Sequence, residues 1–354
     1  MSTKKITIRD IARHAKVSVG TVDRVIHNRG KVSVDKKLKI EEAVKYLNFN
    51  PNLLARALAM RNQFTVCSLF PRSFPENEYW HLPKLGAEQA AESLKDFGFF
   101  LETFYYSLFD ENSFIEQANK IIELNPDGVI LAPLFSKESI LFVQKLEKNN
   151  IPYVFIDATV PGQKNISYIG PDVERSGVVA GKLLNSLLLS DDEVLILNIV
   201  KGMENSSSLT LIEQGFRNYF AENERTAKRT IQTLVINSTD ESVIFQELTK
   251  FYIKNPNIKG VFVTTSKAHV VAQFHQKHEL NIHLVGFDLV DGNIKCLREG
   301  SIDWIISQSP ILQGARAVTT MFDLFIHKSE PKKIQYVPLD IIIRENLDFY
   351  IEFQ

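Results

Sequence analysis

The sequence predicts a small all-α head followed by a larger α/β body of two doubly wound lobes. Three observations predict it. The first is charge. The 354-residue chain carries 41 Lys and Arg against 42 Asp and Glu, but residues 1–61 hold 14 of the basic and 5 of the acidic residues. The head is therefore net +9 and the remainder net −10. The second is helical spacing of apolar residues within the head. The third is the rhythm after Phe64, where strand-like runs return roughly every 20–35 residues with helical segments between most of them.

In the head, Ile8, Ile11, Ala12 and Ala15 follow the i, i+3, i+4, i+7 pattern of one apolar stripe. Thr7 is placed to cap that helix, with Asp10 as a variant capping box. Lys16-Val17-Ser18 makes a tight connection, and Ser18 suits the N-cap of a second helix. There Val22, Val25 and Ile26 face inward, while Gly20, Thr21, Asp23, Arg24, His27 and Asn28 face outward. Gly30 ends it. Ser33 begins a third helix, whose Ile40, Ala43, Val44 and Leu47 complete a small core.

Two short helices joined tightly, then a third, form helix-turn-helix architecture, which offers the second helix to the DNA major groove. A basic excess on such a unit suits a polyanion. Gly20 allows close backbone approach to phosphate, and Thr21 has a hydroxyl to donate. The planar fork of Arg24 fits the acceptor edge of guanine. Lys4, Lys5, Arg9, Lys31, Lys36 and Lys37 supply phosphate attraction, which positions without specifying.

Thr7-Ile8-Arg9-Asp10-Ile11-Ala12, Ala15-Lys16-Val17-Ser18, Thr21-Val22-Asp23-Arg24-Val25-Ile26-His27-Asn28 and Tyr46-Leu47-Asn48-Phe49-Asn50-Pro51-Asn52 together resemble the DNA-binding head of the LacI/GalR family of bacterial transcription regulators. The resemblance implies that the helix beginning near Val19 reads an operator. The residue after Thr-Val, usually Ser in that family, is Asp23 here. A carboxylate is repelled by phosphate, so Asp23 either accepts from a cytosine amino group or orients Arg24. The Ala/Leu-rich run from Asn52 to Arg61 has high helix propensity, with Pro51 at its start. At about ten residues it is marginal alone in water. The resemblance implies a hinge helix that pairs across a dimer in the minor groove. Asn52 and Ala55 would then lie at the DNA, Arg56 near phosphate, and Leu58 would be the apolar wedge at a base step.

In the body, strands are expected at Phe64–Pro71, Phe99–Tyr106, Asp127–Pro133, Pro152–Ala158, Asn165–Gly170, Glu193–Val200, Ile231–Asn237, Lys259–Thr265, His283–Asp288 and Asp303–Gln308. Helical segments are expected between most of them, for example Leu85–Phe97, Ser113–Leu124, Glu138–Asn149, Ser176–Leu189, Leu209–Asn223 and Asp240–Asn255. About 290 residues exceed one core, so two lobes follow. The pattern resembles the periplasmic-binding-protein type I core of the same family. The expected division is 1–49 head, 50–63 hinge and 64–354 core. Lobe 1 takes about 64–168 with 309–334, lobe 2 about 169–308 with 335–354, and strands near Trp304 and Val337 cross between them.

Ligands of doubly wound sheets sit beyond the carboxyl ends of strands. Polar and aromatic residues at those ends are Arg72, Tyr79, Trp80, Asp157, Asp172, Asn205, Thr265, Asp288 and Gln308. Carboxylates accept from sugar hydroxyls, and rings stack on the C–H face. The resemblance places effector contacts at Asp157, Asp288 and Gln308, and an aromatic at Tyr79-Trp80. Two positions depart from it. Ile212 stands where the family often has Arg, and Thr265-Ser266 where it often has Asn-Asp. Arg72 is then a substitute cation for an acidic or phosphorylated ligand.

No Gly-x-Gly-x-x-Gly loop, P-loop or Gly-x-Ser-x-Gly elbow is present. His275 and His278 share a helix at i, i+3 and read as a solvated face. The cysteines are Cys67 and Cys296 alone, far apart, which excludes a disulfide framework or Cys-rich zinc site. No cofactor or metal is expected. No apolar run reaches the ~18 residues of a membrane span, and the polar N-terminus lacks a signal-peptide core. The expectation is a cytoplasmic homodimer that binds a near-palindromic DNA operator under control of a small-molecule effector, without a C-terminal coil for a tetramer. A solute receptor with a vestigial head and a sugar-active enzyme are the rivals.

Overall fold

The computed structural model describes residues 7–26, 32–47, 63–73, 75–200, 207–222 and 229–352. The hinge expected at 50–63, apart from Gln63, lies outside the described residues, with its Asn52, Ala55, Arg56 and Leu58. So do His27, Asn28, Lys31 and Asn205. The chain divides into two compact units, Met1–Arg61 and Asn62–Gln354.

The first unit holds α1 (Ile8–His14), α2 (Val19–Ile26) and α3 (Val34–Tyr46). Ile11, Ala12, Ala15, Val22, Ile40 and Ala43 are its buried core, with Ile8, Val17, Val25, Val44 and Leu47 packed around them. The expected stripe is thus the core. Asp10 accepts from both the amide (2.9 Å) and the hydroxyl (2.7 Å) of Thr7, which closes the start of α1. Lys16 turns the chain in the left-handed region at φ 52°. Ser18 Oγ accepts the Thr21 amide at 3.2 Å, capping α2. Ser33 precedes α3 but makes no side-chain cap bond, so that helix starts on backbone contacts alone.

The second unit has two sheets. Its elements are β1 (Phe64–Pro71), α4 (His81–Leu94), β2 (Phe99–Tyr106), α5 (Glu111–Leu124), β3 (Gly128–Leu131), α6 (Ser136–Lys148), β4 (Tyr153–Ile156), β5 (Ser167–Gly170) and α7 (Val173–Asn185). Then come β6 (Glu193–Val200), α8 (Ser207–Ala221), β7 (Ile231–Asn237), α9 (Glu241–Lys254), β8 (Ile258–Val263), α10 (Ala268–Lys277), β9 (His283–Phe287), α11 (Asp291–Glu299) and β10 (Trp304–Ser307). The chain closes with α12 (Pro310–Phe322), β11 (Ile334–Tyr336), β12 (Asp340–Ile342) and α13 (Leu347–Ile351). One sheet runs β11-β5-β4-β3-β1-β2 and the other β12-β10-β9-β8-β6-β7. The orders correspond strand for strand, and every pair is parallel except β10 with β12. Inner strands are buried throughout because helices cover both faces, so their sequences read as continuous apolar runs.

The lobe boundaries differ from those expected. β5, with Ile169 and Gly170, belongs to the first sheet, as does β11 through Tyr336. Trp304 lies on β10, inside the second sheet. The chain crosses after β5, and, near Trp304 and Val337 as expected, after β10 and after β11. Periodicity reveals a strand but not its partner, which is why the division fell a few residues short. The helix expected from Ser176 starts at Val173, because Asp172 accepts the Arg175 amide at 3.1 Å and caps it.

The first two crossings each deliver a helix onto the other lobe's core. α12 packs on α4, and α7 on α8, through reciprocal glycines. A Cβ on Gly314 would sit 1.9 Å from Pro83 O, and one on Gly86 1.9 Å from Ile311 O. In the second lobe, a Cβ on Gly177 would sit 2.0 Å from Ile212 O, and one on Gly215 1.9 Å from Glu174 O. Helix propensity alone makes Gly→Ala worth about 1 kcal/mol of stability. Overpacking against backbone costs about 1–3 kcal/mol or more and wins here. Gly314→Ala therefore lowers the melting temperature in calorimetry; a rise would show that the helices separate freely.

Candidate functional site

On the head, Val19, Gly20 and Arg24 at α2 are exposed, as is Arg9 on α1. A Cβ on Gly20 would meet no heavy atom within 4 Å, so its backbone is open to close approach. Asp23 is half-buried on the same helix. Thr21 is also half-buried, and its hydroxyl lies 2.8 Å from Ser18 Oγ. It serves the turn between the helices as well as facing outward. Thr7 is exposed, with its hydroxyl proton given to Asp10.

The second site is a cavity of about 200 Å³ at the carboxyl ends of both sheets. Tyr79, Trp80, Asp157, Thr265, Asp288 and Gln308 line it. Asp157 and Asp288 occupy corresponding places. Asp157 follows β4 and Asp288 follows β9, and both are left-handed, at φ 64° and 69°. The Asp157 amide donates to Ile169 O on β5 (3.1 Å), and the Asp288 amide to Ile306 O on β10 (3.0 Å). Asp and Asn tolerate this conformation better than other side-chain-bearing residues. The same backbone device thus presents one carboxylate from each lobe.

Tyr79 donates its hydroxyl to Asp157 Oδ1. Ser266 Oγ donates to Asp288 Oδ2 at 2.9 Å, and Gln308 Nε2 lies 3.3 Å from both oxygens of Asp288. Burial pushes Asp157 up to about 6, partly offset by the Tyr79 bond. Burial pushes Asp288 up to about 7, and the charge of Asp157 adds to it. Tyr79 is held well above its usual range by burial and by both carboxylates. His269, also on the wall, is held below its usual value by burial, with Nδ1 3.0 Å from Asn293 Oδ1.

Two expected residues, Arg72 and Asp172, do not line the cavity, and a third lies outside the described residues. Arg72 is exposed and is not among the residues that line the cavity; its amide is tied to Tyr106 O at 2.8 Å. Asp172 is spent on the α7 cap. Asn205 lies outside the described residues. His275 is not on a solvated face: it is buried, with Nε2 2.7 Å from the Tyr252 hydroxyl, and His278 is the residue that ends α10.

Asn293 and Gln313 were not foreseen from the sequence. Buried Asn293 donates to Phe287 O (2.8 Å) and Asp288 O (3.0 Å) and so fixes the turn that aims Asp288. Buried Gln313 on α12 donates to Gln308 O at 2.9 Å and lies 3.5 Å from the Tyr79 hydroxyl. Glu78 accepts the Asp291 amide at 3.2 Å, which joins one lobe to the start of α11 in the other. A polar residue early in a helix carries no local sign of such a contact.

A helix-turn-helix unit joined to a two-lobed core with a ligand cleft defines a ligand-binding regulator class. Residues 7–52 match the LacI family of bacterial regulatory proteins, and residues 69–329 match the periplasmic binding protein domain. The chain thus carries a LacI-family head domain followed by a core that belongs to the periplasmic binding protein domain family. It is 26% identical over 353 residues to a ribose operon repressor of Halalkalibacterium halodurans, covering 96% of each chain. It is 25% identical to a ribose operon repressor of Lactococcus lactis, covering 96% of this chain and 98% of the other. The crystal structure of a protein described as a LacI transcriptional regulator from Bacteroides fragilis superposes with TM-score 0.73 at 28% identity, covering 82% of this chain and all of that one. A glucose-galactose binding protein from Geobacillus stearothermophilus, at 21% identity and TM-score 0.72 over 81% of this chain and 99% of its own, shares the fold.

Asp288 gives a signed pH prediction. Its folded value, about 7, lies above its usual 3.8, so the folded state holds its proton more tightly. Stability is then lost as pH rises from about 4 through 7. Asp288→Asn keeps the left-handed turn and removes the charge. It raises the melting temperature at pH 8, by a stabilisation on the order of 2–4 kcal/mol, and has little effect near pH 4. A gain independent of pH would show that charge is not the cause.

Proposed function

We propose that the protein is a cytoplasmic, homodimeric transcription repressor whose operator affinity is set by a small polyhydroxy effector in the interlobe cleft. One observation carries the reading: each lobe presents one strand-end carboxylate to a single cavity, in a chain that begins with a helix-turn-helix unit. Carboxylates accept hydroxyl hydrogen bonds, and Tyr79 and Trp80 supply apolar ring surface beside them. The names of the full-length relatives, ribose operon repressors, support a sugar-like effector.

In this reading, Val19, Gly20, Thr21, Asp23 and Arg24 face base edges and phosphates in the major groove. Two heads on one dimer read two half-sites, so the operator is near-palindromic. The segment carrying Asn52, Ala55, Arg56 and Leu58 acts as hinge between reader and core. The effector binds the two lobe arrangements with different affinity, and linkage makes the coupling reciprocal. A coupling of about 1–3 kcal/mol changes operator affinity about 5–150-fold.

Selection of genomic fragments with the purified protein tests the reading. A near-palindromic consensus is expected, and absence of any preferred sequence would refute it. Arg24→Ala is expected to cost about 1–3 kcal/mol and to relax one base position in binding titrations. A uniform loss on all sequences reassigns Arg24 to phosphate. Asp157→Asn is expected to shrink the change in operator affinity that the effector produces; an undiminished change would remove Asp157 from the effector site.

A further inference from the structure

The charges around the cleft point to a narrower ligand class. Asp157 and Asp288 have neutral hydrogen-bond partners: the hydroxyls of Tyr79 and Ser266 and the amide of Gln308. Glu78 adds a third carboxylate to the wall. Against these stand Lys267 and His269. His269 is half-buried, its ring tied to Asn293, and burial disfavours its charged form. Val173, Leu209 and Ile212 add apolar surface to the lining. With both aspartates ionised, the three carboxylates of the described wall outnumber its one lysine, which leaves a net negative excess.

We propose that the cleft takes a polyhydroxy ligand bearing a protonated primary amine, of the amino-sugar or amino-polyol class, held between Asp157 of one lobe and Asp288 of the other. This rests on the reading of the cleft as the effector site. A desolvated carboxylate is costly unless paired, and two facing each other also repel. Hydroxyls satisfy carboxylate lone pairs but leave that repulsion in place. An ammonium satisfies them and cancels it, because it donates three hydrogen bonds and brings one positive charge. Tyr79, Trp80 and Phe109 add π faces that attract a cation within about 6 Å. Sugar acids and sugar phosphates are disfavoured by the same carboxylates. Since one carboxylate comes from each lobe, the amine also joins the lobes directly.

The experiment is calorimetric titration of the full-length protein at pH 7 with matched probes: D-glucosamine and D-glucose, D-galactosamine and D-galactose, and 1-amino-1-deoxy-D-glucitol and D-glucitol. N-acetyl-D-glucosamine serves as the uncharged control. At least one amine is expected to bind ten-fold or more tightly than its hydroxyl partner, with acetylation abolishing the gain. In Asp157→Asn and Asp288→Asn, each folded by its melting curve, the preference is expected to fall below about two-fold. Equal or weaker binding of every amine overturns the proposal, and so does a preference that survives both substitutions. If neutral sugars alone bind and release operator DNA, the amine falls while the effector reading stands. If no probe binds, the amine proposal falls as well. Operator affinity that then responds to no metabolite extract removes the effector reading too.

Discussion

The functional half of this molecule depends on the close approach of two helix pairs. α12 lies on α4, and α7 on α8, with glycine against carbonyl in both directions. Each pair includes the helix that the chain enters on crossing from the other sheet. If a side chain separated either pair, the ends of β5 and β10 would shift with the crossing helices. Those ends supply Ile169 O and Ile306 O, which hold the amides of Asp157 and Asp288. Helix packing is therefore the reason two carboxylates meet in one cavity. The correspondence of the lobes makes this a repeated solution, and only the directions of β11 and β12 break it.

The cleft is less stable than the scaffold around it, by design of its charges. Burial raises both aspartates, Asp157 to about 6 and Asp288 to about 7. Their neutral partners orient the carboxylates without compensating the charge. Asn293 and Gln313 make this tolerable by satisfying the carbonyls of the turns, so the backbone holds while the side chains remain under electrostatic stress. Binding groups of raised energy without ligand are what a sensor needs, because the ligand then gains by relieving them.

How much of this was legible in the sequence varies with range. β1, β2, β6 and β7 fall at the expected residues because their apolar runs end at strong breakers or charged turns. The head core follows from one i, i+3, i+4, i+7 stripe, since three short helices leave few other ways to bury it. Asp157, Asp288 and Gln308 were found because doubly wound sheets put ligands at strand ends. The same rule named Arg72 and Asp172, which end strands or begin helices without facing the cavity. Direction of approach is tertiary information. α12 was not among the helices named from the sequence, and Gln313 on it was missed.

The magnitudes connect the cleft to control of DNA. A burial penalty on the order of 2–4 kcal/mol rests on Asp288 at alkaline pH. Coupling between effector and operator in regulators requires about 1–3 kcal/mol. Relief of a penalty of this size in one lobe arrangement and not the other would be of the order of that coupling.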